Sequence, residues 1–252
     1  PVDLNTDTGD IMVVDAKLGR WEQLAARLQQ APLIQSILDL KAAAAASDVA
    51  KSAKEVKTKL DDVKGDLSEK WETSQHPLVY NASAAYDGLF AENEHAQALR
   101  AIRRIDPGFD SVAFLEDMKD SIIPQVINAF LVGSREELTR WCNDTAMAQV
   151  GAVLRAREAE GLKMDPNILS IGNVDLMAAK VVPPKTPVLV VSAMVQQINC
   201  MTNAKGEVVD GNEDEIRAVF YVFAMVREYD AATASLHWRV AEMSMVGSQL
   251  YL

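Results

Sequence analysis

Hydrophobic positions change rhythm once along this chain. Up to about residue 160 they recur at steps of three and four, the period of an α-helix; from Ile168 onward they gather into long runs of Val, Ile, Met, Phe and Tyr, the composition of strands. Leu18, Trp21, Leu24, Ala25 and Leu28 mark a first short helix. Pro32 opens a second, carrying Leu33, Ile34, Ile37 and Leu38, because proline is accepted at the first helical position. Ala42, Ala46, Val49, Ala53, Val56, Leu60, Val63 and Leu67 then step alternately by four and three, a heptad seam flanked by Lys51, Lys54, Lys57, Lys59, Asp61 and Asp62. Three of those seam positions are alanine and Gly65 lies near the end, so the seam buries little apolar area. It suits docking on another helix, of this chain or of a partner.

Ser74-Gln75-His76-Pro77 interrupts the helical pattern, since the residue before a proline is pushed out of the helical region. The break divides the chain into a helical arm, 1–75, and a second unit, 76–252. The second unit begins with a helix over 77–99, which has Leu78, Val79, Ala82, Tyr86, Leu89 and Phe90 on one side. The run Ile105-Asp106-Pro107-Gly108-Phe109-Asp110 then opens a helical block over 111–132, in which Pro124 marks a kink or a restart. A block over 134–162 closes the helical part with Gly161 as its C-cap. Strand-like runs follow at 168–176, 187–202, 217–229 and 236–246, separated by Pro183-Pro184, by Lys205-Gly206 and by an acidic loop at 210–214. The second run is apolar at every position from Val188 to Val191 and predominantly so to Val195, then polar at Gln196, Gln197 and Asn199. Such a strand is covered on both faces at one end and open at the other. Helices followed by a strand meander make an α+β fold, a helical N-terminal arm followed by helices packed on a curved antiparallel sheet, with an apolar hollow between the layers.

Composition narrows the function. The 252 residues suffice for a full core, with 49% apolar and 24% charged side chains. A net charge of −11, acidic in both halves, argues against nucleic acid as a partner. Two cysteines, Cys142 and Cys200, read as buried thiols of a reducing compartment. No apolar stretch reaches the length needed to cross a bilayer as a helix. His76, His95 and His237 share no ligand spacing with the cysteines. Phosphate-loop, dinucleotide and nucleophile-elbow signatures are missing from the sequence. Asp210-Gly211-Asn212-Glu213-Asp214 starts like a calcium loop but carries Glu215 and Tyr221 where glycine and glutamate belong. Glu136-Glu137 and Asp61-Asp62 fall on exposed helix faces, leaving Tyr221 and Asp175 as the polar candidates for the hollow. The chain is read as a non-enzyme with no cofactor and no metal.

Ile102-Arg103-Arg104-Ile105-Asp106-Pro107, Ile122-Ile123-Pro124, Ile168-Leu169-Ser170-Ile171, Lys205-Gly206-Glu207 and Trp238-Arg239-Val240 give the chain, over 69–252 and more loosely over 16–40, a resemblance to the Tim-forty-four family. Leu18-Gly19-Arg20-Trp21 and Glu69-Lys70-Trp71-Glu72-Thr73-Ser74 resemble its plant and green-algal branch. The resemblance implies a nuclear-transport-factor-two-like cone for 76–252. It implies a peripheral adaptor on the matrix side of the mitochondrial inner membrane, tethering the matrix seventy-kilodalton heat-shock chaperone to the presequence translocase channel for ATP-driven import. J-protein co-chaperones, incoming presequences and the cardiolipin-containing inner membrane are the other partners it implies. On that mapping Leu78, Val79, Tyr86, Leu89 and Phe90 are membrane-contact candidates, although no Lys or Arg lies between Trp71 and Leu99 to favour an anionic surface. Trp21, Val49, Val56, Leu60, Val63 and Leu67 are partner-helix candidates of the arm. Two rival readings share the domain: a mitochondrial ribosome large-subunit protein facing the inner membrane, which would want a basic surface, and a small-molecule enzyme in a cone fold.

Overall fold

The structure, a computed structural model, describes residues 19–29, 31–43 and 91–251. Helix α1 (Arg20–Leu28) is followed by α2, described over 32–43, as the spacing of Trp21, Leu24, Leu28, Ile34 and Ile37 predicts. Next come α3 (Ala91–Ile105), α4 (Ser111–Asp117), α5 (Ile123–Val132), α6 (Arg135–Trp141) and α7 (Asp144–Ala159). The strands are β1 (Lys163–Met164), β2 (Ile168–Val182), β3 (Thr186–Thr202), β4 (Val208–Asp230) and β5 (Ser235–Leu250). All pairings are antiparallel: β1 and β2 both pair with β3, which pairs with β4, which pairs with β5. The α+β expectation holds.

Pro124 acts where its chemistry predicts. It has no N–H and its ring crowds the carbonyl four residues back, so the helix ahead of it cannot stay α-helical. A π-turn, Met118–Ile122, absorbs the conflict, and the Ile123 N–H donates to the Met118 carbonyl, five residues back. At the end of α7, Gly161 stands at φ +65°, its N–H donating to the Glu158 carbonyl and that of Leu162 to Arg157. That double bond pattern is the Schellman cap expected of it.

The acidic stretch 210–214 is strand, not loop. β4 starts at Val208, and Gly211 and Asp210 pair with Cys200 and Met201. The connection is only 203–207, where the Asn203 side chain accepts from the N–H groups of Lys205 and Glu207. This end of the sheet lies in solvent, so its strand carries polar residues and shows no apolar run.

Both faces of the sheet are covered, as the unbroken apolar run in β3 requires. Leu189, Val191, Ala193, Val195, Val219, Tyr221, Phe223 and Met225 face α3–α7 in the main core. The alternate residues Val188, Val190, Val222, Ala224 and Val226 form a second core with Ala31, Ile34 and Ile37 at α2. In β5 a bulge between the pairs Met225–Val240 and Ala224–Glu242 shifts the alternation by one residue. Trp238, Val240, Met243 and Met245 thereby all stay on the helix side while Glu242 points to the other.

Candidate functional site

Among the nominated membrane-contact and partner-helix residues, only Trp21 lies within the described chain. Leu78, Val79, Tyr86, Leu89, Phe90, Val49, Val56, Leu60, Val63 and Leu67 lie outside it, as does the division at residue 75. Trp21 is 4% exposed and packs in the main core with Leu24 and Leu28. Docked in this way, its ring offers no surface to another protein.

The docking of α1 and α2 depends on side chains from far along the sequence. At the start of α1 the Gly19 N–H donates to Glu22 and the Trp21 N–H donates to Asp210 at 2.7 Å. The Leu28 carbonyl at its end accepts from Gln149 at 2.9 Å, and Gln29 donates to the Met245 carbonyl at 3.3 Å. Helix α2 begins at Ala31-Pro32, where the alanine side chain holds no acceptor and the proline no N–H. Its next two N–H groups, of Leu33 and Ile34, both donate to the Glu242 carboxylate at 3.0–3.2 Å. Glu242 is buried, and its negative charge sits at the positive end of the helix dipole.

The run Ile105–Asp110 forms the corner that ties the helices to the sheet. Asp106 accepts from Arg227 at 2.7 Å, and the Arg227 guanidinium lies over the Trp238 ring, 5.1 Å from its centroid. Phe109 and Phe114 complete an aromatic cluster with Trp238, the closest rings 4.5 Å apart. Asp110 then caps α4, accepting from Val112 and Ala113.

Tyr221 is fully buried, as its candidacy for the interior required; Asp175 is exposed and faces solvent instead. The Tyr221 hydroxyl donates to Gln197 Oε1 at 3.0 Å. Nearby, Arg157 donates to the Phe130 and Leu131 carbonyls at the end of α5, at 2.6 and 2.7 Å, and packs on the Phe130 ring. Burial lowers the Arg157 guanidinium to about 10 and raises the Tyr221 hydroxyl, while each charge favours the other. Arg157 Nε and Gln197 Nε2 are buried donors without an acceptor among the described residues. Sequence reasoning missed Arg157, Asp210 and Glu242. The one available signal was the helix start at Ala31-Pro32, which has no cap of its own.

An open cleft of about 540 Å³ lies between α6 and the β4–β5 turn, lined among others by Arg140, Asp230, Thr233, His237 and Arg239. His237 Nε2 shares hydrogen bonds with Thr233 and Ser235 at 2.8 and 2.7 Å. The Asp230 carboxyl at the same turn is held below its ordinary range, first by the Ala232 N–H and also by the His237 and Arg239 charges. At the opposite end of the sheet the acids gather. Glu207, Glu213 and Asp214 are exposed there and Asp210 and Glu215 half-buried. Burial, then Glu213 and Asp165, raises the Cys200 thiol. No group of His, Cys, Asp and Glu among the described residues has the geometry to hold a metal ion.

The Tim44-like domain family matches residues 95–245. The mitochondrial import inner membrane translocase subunit TIM44 of Homo sapiens is 30% identical over 194 residues, covering 74% of this chain and 43% of the human protein. Subunit TIM44-1 of Arabidopsis thaliana is 25% identical over 234 residues, covering 91% of this chain and 46% of its own length. TIM44 of Saccharomyces cerevisiae is 26% identical over 188 residues, 72% of this chain and 44% of that protein. The chain thus spans less than half the length of these relatives. With 95–245 holding the corner, the buried polar centre and most of the sheet, the chain belongs to the Tim44-like domain family.

Proposed function

We propose that this chain acts in mitochondrial protein import, as a peripheral, matrix-side part of an adaptor of the inner-membrane presequence translocase. The family match over 95–245 carries this reading, and each relative named above is a translocase subunit of the mitochondrial inner membrane. The role is to hold the matrix seventy-kilodalton heat-shock chaperone and its J-protein partners beside the channel, and it is not enzymatic. Peripheral attachment agrees with the described residues, where no helix is long and apolar enough to cross a membrane. Lipid contact falls to Leu78, Val79, Tyr86, Leu89 and Phe90, and chaperone contact to the seam at Val49, Val56, Leu60, Val63 and Leu67. Incoming presequences are basic amphipathic helices, and a net charge of −11 with acids gathered at the β3–β4 end suits their approach.

The test is a tagged pull-down from solubilised mitochondria, with and without ATP, read by mass spectrometry. Recovery of the matrix chaperone and the channel, with the chaperone lost on adding ATP, is the expected result. Recovery of ribosomal large-subunit proteins in their place would overturn the reading.

A further inference from the structure

The described part of the arm, 19–29 and 31–43, is joined to the domain in an unusual way. Its two helices lie on opposite sides of the sheet: α1 in the main core, α2 in the separate core on the other face. Between them Gln29 bonds to the Met245 carbonyl on β5, the end strand of the sheet. The segment thus passes around the free edge of β5 and covers part of it, as exposed edges demand.

Both helices lean on the domain. Nine residues of α1 are too few for a stable helix in water. The N-cap positions, Gly19 and Ala31, have no side-chain acceptor, so the N–H groups of Trp21, Leu33 and Ile34 depend on Asp210 and Glu242. Their donors and the Leu28 carbonyl find partners only when the segment is seated. Helix formation and docking are therefore one event. The domain, by contrast, does not need the segment to close its sheet: β1–β5 pair with one another, the further bridge from β5 runs to Cys142, and the family match starts at residue 95.

From this we propose that the described segments 19–29 and 31–43 form a detachable strap, latched by the Asp210 and Glu242 carboxylates, which leaves and returns as a unit while the domain stays folded. Docked, the strap covers the outer face formed by Ala178, Val188, Val190, Val222, Ala224 and Val226. Released, its helices melt and that face opens. The strap is a two-state element between the N-terminal arm and the sheet, so whatever grips the arm changes the exposure of the outer face. The inference rests on packing and capping alone and stands whether or not the chain acts in import.

The test is native-state amide exchange on the full chain across a series of low guanidinium concentrations, with Glu242→Gln alongside. In the unaltered protein the amides of 21–28 and 33–40 should exchange through an opening that falls less steeply with denaturant than the opening of 219–226. Glu242→Gln, which removes the charge from the cap but keeps its shape, should speed strap exchange roughly tenfold and leave 219–226 unchanged. One shared slope for strap and sheet, or a variant that moves both segments together or neither, would overturn the strap. If Glu242→Gln fails to fold, the denaturant series on the unaltered protein decides alone.

Discussion

Gly211 marks the tightest backbone approach among the described glycines. It sits at φ +69°, and a β-carbon built on it would collide with the Asn199 carbonyl, a backbone atom that cannot rotate away. Asn199 is held in turn, its side chain donating to Glu215 at 2.6 Å, and Glu215 also accepts from Arg217 at 2.7 Å. Although partial desolvation raises the Glu215 carboxyl, the hydrogen bonds from Asn199 and Arg217 and the Arg217 charge together hold it below the ordinary range. Gly211→Ala should therefore cost about 3 kcal/mol, strain and overpacking together, read as a shifted urea midpoint with an unchanged slope. A variant within a few tenths of a kcal/mol of the parent would mean that β3 and β4 separate here at little cost. Nothing in the sequence pointed to this glycine: in its acidic surroundings it read as a turn residue, and only the strand pairing shows what it avoids.

Among the elements, those legible in the sequence were the ones whose stabilising contacts are local or periodic. The first two helices, the break at Pro124, the cap at Gly161 and the four long strands all follow from spacing and from the chemistry of Pro and Gly. The features that escaped are stabilised from a distance. β4 runs through an acidic stretch because its partner in β3 supplies the ladder, and the start of α2 is capped by Glu242, more than 200 residues away. Asp110 belongs to the legible kind. It accepts from Val112 and Ala113 at 2.9 Å and starts α4, which has only seven residues. Asp110→Ala should cost about 1 kcal/mol in denaturant unfolding, the usual worth of a carboxylate N-cap. Asp110→Asn, which keeps an acceptor, should recover most of it. Equal losses in both variants would show that the charge matters there more than the hydrogen bond.

At the scale of the whole molecule the acid excess acts on encounter more than on fold. Charged groups at the β3–β4 end, Glu207, Glu213 and Asp214, are exposed, so their field reaches outward and is screened by salt. A docked strap contributes to that region too, since Trp21 holds one oxygen of Asp210 and Arg20 pairs with Glu160 at 3.0 Å. Under the import reading, a basic amphipathic peptide of the presequence type should bind the full chain through this field and through its own apolar face. Raising ionic strength from ~0.01 M to ~0.1 M shortens the screening length from ~30 to ~10 Å, so the affinity should fall by roughly an order of magnitude. A control peptide with the same apolar face and neutral polar positions should bind more weakly and respond little to salt. The difference between the two slopes isolates the charge contribution from the apolar one. If the basic peptide binds equally well at both salt concentrations, recognition lies in apolar contact, and the acidity of this surface has no part in guiding presequences to it.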